Sequence, residues 1–264
     1  MEEKKSNLGL WVVIGVLFVA VVGLSFYLGT KFANKEDKKE TETKEEAKES
    51  KFEDVSIKDS LVAEAMRFNV KYICGGPVIE FKGQNIKVDE LSDEYKANVY
   101  LGSYAGNTMS LTEDDTYSVD DKFDDRYFKD DSFLKKYRNG EQLHFYNGPV
   151  IAEYKNGKFV FSTYATGCEG VYEGYNTQLV SARKNDKQLI LDYAYYYQTY
   201  DYEKEEASIY FKKGDSKPAE QGVKVNEETY EYIIKPELYD HYEFVFDISE
   251  GKLQLTEIVY VPKK

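Results

Sequence analysis

The hydrophobic pattern changes character three times along the chain. From Leu8 to Gly29 the run LGLWVVIGVLFVAVVGLSFYLG carries no charged side chain, and Trp11 and Tyr27 stand near its ends. Crossing a bilayer takes roughly 20 apolar residues, and aromatic rings favour the two interfaces. The run predicts one transmembrane helix over 8–29. It is too long for the apolar region of a cleaved signal peptide, and no A-x-A motif follows it. Residues 30–54 are nearly all Lys, Glu, Asp, Thr and Ala, too polar to offset the entropy lost on ordering, and predict a charged flexible tether. That leaves residues 1–7 as a short cytoplasmic tail and 55–264 as an extracytoplasmic domain.

Within the domain a helical period comes first. In KDSLVAEAMRFNVKY (Lys58 to Tyr72), Leu61, Val62 and Ala65 share a face. In DELSDEYKANVYLGSY (Asp89 to Tyr104), Leu91, Tyr95 and Val99 recur every four residues, with Asp89 or Ser92 as candidate N-cap. The acidic stretch Ser118 to Tyr137 suggests one or two short surface helices. After Gly140 the period falls to two. KFVFSTY follows the turn signal Asn156-Gly157, TQLVSAR and QLILDYAYYYQTYDY flank Lys184–Lys187, and HYEFVFDI and KLQLTEIVYV surround Ser249-Glu250-Gly251.

Helices followed by about six antiparallel strands predict an α+β domain. The expected form is N-terminal helices packed on a curved, mainly antiparallel sheet, as in cystatin-like or NTF2-like cones. A β-sandwich with helical additions is the alternative.

Composition narrows the partners. Tyr occurs 25 times and Phe 15 times, favouring strands and cores close to a wet surface. The net charge of −13 argues against nucleic acid, which demands clustered Lys and Arg. Two cysteines, Cys74 in ICGGP and Cys168 in TGCEG, sit beside glycines where chains approach closely, and predict a disulfide joining the helical half to the sheet. His144 and His241 lack ligand spacing with either cysteine, so no metal is expected. No cofactor motif occurs. Lysines flank the apolar run on both sides, with Lys31, Lys35, Lys38 and Lys39 pulling the C-terminus inward. Long domains translocate largely regardless of flanking charge, and a cysteine pair suits an oxidising compartment. The expected location is the cell membrane, single-pass, with the C-terminal domain outside the cytoplasm.

The chemistry is sparse. One enzymatic arrangement is sortase-like, with Cys168 as nucleophile, His144 as acid/base and Arg183 as oxyanion stabiliser, but Ala165-Thr166-Gly167 does not give the T-L-x-T-C string. The strand Gln188–Tyr202 has aromatics on both faces. Leu189, Leu191, Tyr193, Tyr195 and Tyr197 form the more continuously apolar face and should point inward. Tyr196, Tyr200 and Tyr202 share the other face with Asp192 and Gln198, and form a candidate binding surface for a sugar ring or peptide.

Three strings, DELSDEYKANVYLGSY, the glycine-flanked Cys168 and YEFVFDISEGKLQLTEIVYV, together resemble a loose group of uncharacterised membrane-anchored extracytoplasmic proteins of Gram-positive bacteria. The resemblance spans most of residues 89–264 and implies a surface location with no established activity. The function expected is therefore a non-enzymatic module binding an extracytoplasmic ligand or protein. The alternative is a cell-surface enzyme acting on wall or surface polymers.

Overall fold

The computed structural model describes residues 51–72, 76–105, 117–120, 125–130, 132–146, 150–163, 173–201, 203–226 and 231–263. They belong to one compact unit, Ser50–Lys264. The apolar run 8–29, expected to be a transmembrane helix, and the expected disulfide partners Cys74 and Cys168 lie outside the described residues. Among those described, no helix is long and apolar enough to cross a membrane.

Among the described residues, twelve strands form two antiparallel sheets. In chain order they are β1 (Glu53–Asp54), β2 (Ile86–Lys87), β3 (Tyr117–Asp120), β4 (Gln142–His144), β5 (Val150–Lys155), β6 (Lys158–Thr163), β7 (Glu173–Lys184), β8 (Gln188–Asp201), β9 (Glu206–Tyr210), β10 (Glu220–Val223), β11 (Asp240–Asp247) and β12 (Gln254–Val261). The larger sheet runs β1-β7-β8-β11-β12-β2, with β9 beside the far end of β8 and β10 beside β9. The smaller runs β3-β6-β5-β4. Strand accounts for 44% of the described residues and helix for 17%, so the expected α+β cone, one curved sheet wrapped around helices, is overturned. The fold is sheet-rich and fits the alternative, a β-sandwich with helical additions.

Local chemistry explains the elements. Asn156 (φ 50°) and Gly157 (φ 81°) both take the left-handed region, as a two-residue hairpin turn between β5 and β6 requires. Asn185 Oδ1 accepts from the Lys187 and Gln188 N–H groups and closes the β7–β8 turn. Helix α1 (Ser60–Ala65) is capped by Asp59, whose Oδ1 accepts from Leu61 N at 2.8 Å. Helix α2 (Asp93–Ala105) is capped by Ser92, whose Oγ accepts from Tyr95 N at 3.1 Å.

The acidic stretch after Ser118 is not helical where it is described. Residues 117–120 pair with β6 as an edge strand, and Tyr127, Phe128, Phe133 and Leu134 are buried. Backbone bonds from Leu253 and Leu255 to the carbonyls of Arg126 and Tyr127 attach this stretch to the start of β12. Its aromatic spacing therefore records burial within an irregular segment, where helical periodicity is no guide.

One large core joins the inner faces of both sheets. Phe159 and Phe161 come from the small sheet, Leu189, Leu191, Phe244 and Phe246 from the large one. Helix α2 enters the same core and is buried on nearly every side from Tyr95 to Leu101, Lys96 excepted. Its one buried amide, Asn98, is satisfied: Nδ2 donates to Glu94 O at 3.1 Å, and Oδ1 accepts from Tyr146 N at 3.0 Å. A second, smaller core of Ala194, Tyr196, Ala207, Ile209, Val223 and Tyr239 lies on the other face of β8.

Candidate functional site

Strand β8 is buried on both faces, and this decides the fate of the tyrosines singled out in the sequence. Tyr196 is 1% exposed, with its ring centroid 5.6 Å from that of Tyr239. Tyr200 is half-buried and packs against the same small core, and Tyr202 lies outside the described residues. The face expected to be open is covered. Ala207 and Ile209 extend it through β9, Val223 through β10, and the segment carrying Tyr232, Ile234, Leu238 and Tyr239 packs over it. Burial pushes the Tyr196 hydroxyl well above its ordinary pKa.

The polar groups of that face form a fixed network. His241 Nδ1 lies 2.8 and 3.0 Å from the two Asp192 carboxylate oxygens, and His241 Nε2 lies 2.9 Å from the carbonyl of Pro236. Next to it, Arg183 Nη2 donates to both oxygens of Glu243 at 2.9 Å. The Asp192 hydrogen bond raises the His241 pKa; burial opposes this, and the Pro236 carbonyl adds to it. Pro236 opens the short 3-10 turn Pro236–Leu238, so the histidine fastens the covering segment to the sheet.

Six tyrosines gather on the opposite face instead, four of them half-buried (Tyr175, Tyr195, Tyr210 and Tyr260) and two buried (Tyr197 and Tyr242). Tyr210 on β9, Tyr197 on β8, Tyr175 on β7, Tyr195 on β8, Tyr242 on β11 and Tyr260 on β12 follow one another across five strands. Successive ring centroids are 6.3, 5.1, 5.0, 5.7 and 5.3 Å apart. Tyr175 and Tyr195 are stacked within 8° of parallel. Register explains the belt. Tyr175 faces Tyr197, Tyr197 faces Tyr210, and Tyr242 faces Tyr260, so side-chain alternation places all the rings on one face. Each pair contributes about 0.5–1.5 kcal/mol beyond its buried area. Phe81 covers the middle of the belt, 4.2 Å from Tyr242 and 5.0 Å from Tyr195 between centroids. Beside it the Tyr242 hydroxyl accepts from Gly83 N at 2.7 Å, and burial pushes its pKa up to about 12.

At the β9 end the belt opens into a cleft of about 310 Å³ lined by Glu173, Tyr197, Thr199, Tyr210, Lys213 and Asp215. Glu173 and Thr199 are register partners on β7 and β8. Lys213 and Asp215 come from the turn after β9, which is tied down by Lys213 N donating to Tyr175 Oη at 3.2 Å and Lys212 N to Asp215 Oδ2 at 3.1 Å. The cleft thus combines two phenol rings, two carboxylates, one ammonium and one threonine hydroxyl on a backbone fixed by the sheet. Sequence reasoning assigned Tyr197 to the inward face, where it is indeed buried, and passed over the other residues. The available signal was the alternation itself, which carries Tyr197 past the end of the apolar core.

The sortase-like set is not assembled among the described residues. Arg183 is on the large sheet and committed to Glu243, His144 is on the edge strand β4 of the small sheet, and Cys168 lies outside. No group of three or more His, Cys, Asp or Glu side chains converges as a metal site among the described residues. No family model, no curated protein and no solved structure matches this chain.

Proposed function

We propose that the chain is a membrane-anchored extracytoplasmic module of the Gram-positive kind its strings resemble, and that it binds a neutral sugar ring in the tyrosine cleft. The observation that carries this reading is the opening of the six-tyrosine belt beside Glu173, Thr199 and Asp215. Ring faces pack against the C–H face of a pyranose, while carboxylate and hydroxyl oxygens on the rim accept its O–H protons. A net charge of −13 repels polyanions, which favours an uncharged ligand. The apolar run 8–29 supplies the anchor and the tether 30–54 the reach.

The test is a titration of the full chain in detergent with a panel of neutral oligosaccharides, followed by NMR or tyrosine fluorescence. Tyr210→Ala should weaken binding about tenfold or more, as expected for loss of an aromatic anchor. Asp215→Asn should weaken it less. Binding that survives Tyr210→Ala would place the ligand elsewhere, and no binding across the panel would end the sugar reading.

A further inference from the structure

We propose that the Lys71 side-chain amine condenses with the carboxamide of Asn176, forming an intramolecular isopeptide bond between the segment bridged to Pro77 and strand β7 and releasing ammonia. Lys71 Nζ lies 2.9 Å from Asn176 Oδ1 and 2.7 Å from Thr177 O. The amide is held at both ends: Oδ1 also accepts from Thr177 N at 2.8 Å, and Nδ2 donates to Gln198 Oε1 at 3.2 Å. The lysine is equally fixed. Val78 N donates to Val70 O at 2.9 Å and Tyr72 N to Gly76 O at 3.0 Å, pairing Lys71 with Pro77 as an antiparallel bridge. The bridge approaches β7 so closely that a Cβ at Gly76 would stand 1.9 Å from the Tyr175 carbonyl oxygen, which only glycine permits. The amine and the carboxamide are therefore held in direct hydrogen-bond contact by two closely apposed backbones, so that little motion separates them from reaction.

The surroundings suit the chemistry. An amine attacks only as the free base, and desolvation favours that form. Burial lowers the Lys71 pKa, and both groups its Nζ touches are neutral acceptors, while the charge of Glu231 works the other way. Glu231 is thus the carboxylate within electrostatic reach to take the proton. The steps balance. The Lys71 ammonium gives one proton to Glu231, and its lone pair forms the bond to Asn176 Cγ. The developing oxyanion stays on the Thr177 N–H. A second amine proton passes to Nδ2, the Cγ–Nδ2 bond breaks, and ammonia leaves and takes the proton from Glu231. An ammonium and a carboxamide become a secondary amide and an ammonium ion, with no other reactant. The bond would join residues separated by 105 positions and tie the segment nearest the tether into the large sheet.

Mass spectrometry of the full chain, denatured and reduced, tests this. The intact mass should fall below the sequence mass by one ammonia. A tryptic digest should contain one branched peptide linking Lys71 to Asn176, uncleaved after Lys71. Lys71→Arg and Asn176→Ala should each restore the full sequence mass. An intact mass equal to the sequence would leave Lys71 as an ammonium covering the β7 edge and overturn the proposal. So would an ammonia loss mapped to Asn139, Asn147 or Asn156, each of which precedes glycine and can cyclise alone.

Discussion

His241 has an acceptor on each ring nitrogen, Asp192 on one and the Pro236 carbonyl on the other. An imidazole donates from both nitrogens only when it carries two protons. The charged groups around it are Asp192 on β8 and Glu243 on its own strand, the latter already paired with Arg183 from β7. Its folded pKa is raised, first by the Asp192 hydrogen bond, so folding binds the proton more tightly than the unfolded chain does. The stabilisation is fully present below the unfolded value of about 6.5 and is lost as pH rises through the raised folded value. Urea unfolding across that window should show the wild type losing stability with rising pH, while His241→Gln stays flatter. Parallel profiles would mean the histidine does not hold the covering segment by its charge. Nothing local marked this residue, because the Asp192 contact depends on the register that sets His241 against Ala194 and Glu243 against Asp192 across β8 and β11.

Elements were legible where their signals are local. The Asn156-Gly157 turn, the Ser92 cap and the alternation in β8, β11 and β12 each lie within a short stretch of chain and appear where the sequence placed them. Long-range partners left no trace. Strands of two residues, such as β1 and β2, have no period to read, and they exist because Lys184, Arg183, Glu257 and Ile258 offer edges to pair with. The error at the candidate surface has the same origin. Alternation correctly placed Leu189, Leu191 and Tyr193 inward, but it could not show that β9, β10 and the segment ending at Tyr239 would bury Tyr196 from the other side. A buried ring predicts a core-sized penalty. Tyr196→Ser should lower the unfolding free energy by about 3–5 kcal/mol, as truncation of large aromatic core residues does. Tyr200→Ser, at a half-buried site, should cost less. Equilibrium denaturation measures both, and a Tyr196→Ser loss below about 1 kcal/mol would match an exposed position and mean that the cover stands open in solution.

At the scale of the whole molecule, the sequence divides labour among an apolar run, a polar tether and a folded unit, and the proposed binding role depends on which side of the membrane that unit occupies. Flanking lysines favour an inward C-terminus, since Lys31, Lys35, Lys38 and Lys39 outnumber Lys4 and Lys5. Against them stand the length of the domain, since long domains translocate largely regardless of flanking charge, and the expectation that Cys74 and Cys168 pair, which suits an oxidising compartment. Tyrosine-lined clefts for polymer sugars are also of use only where such sugars are. The proposal therefore requires the C-terminus outside. A phosphatase or similar export-dependent reporter fused after Lys264 should be active, and protease added to intact wall-stripped cells should cut between residues 30 and 54, where polar composition predicts an open chain. An inactive reporter with an uncut tether would put the domain in the cytoplasm, where the cysteines stay reduced and the cleft meets other ligands.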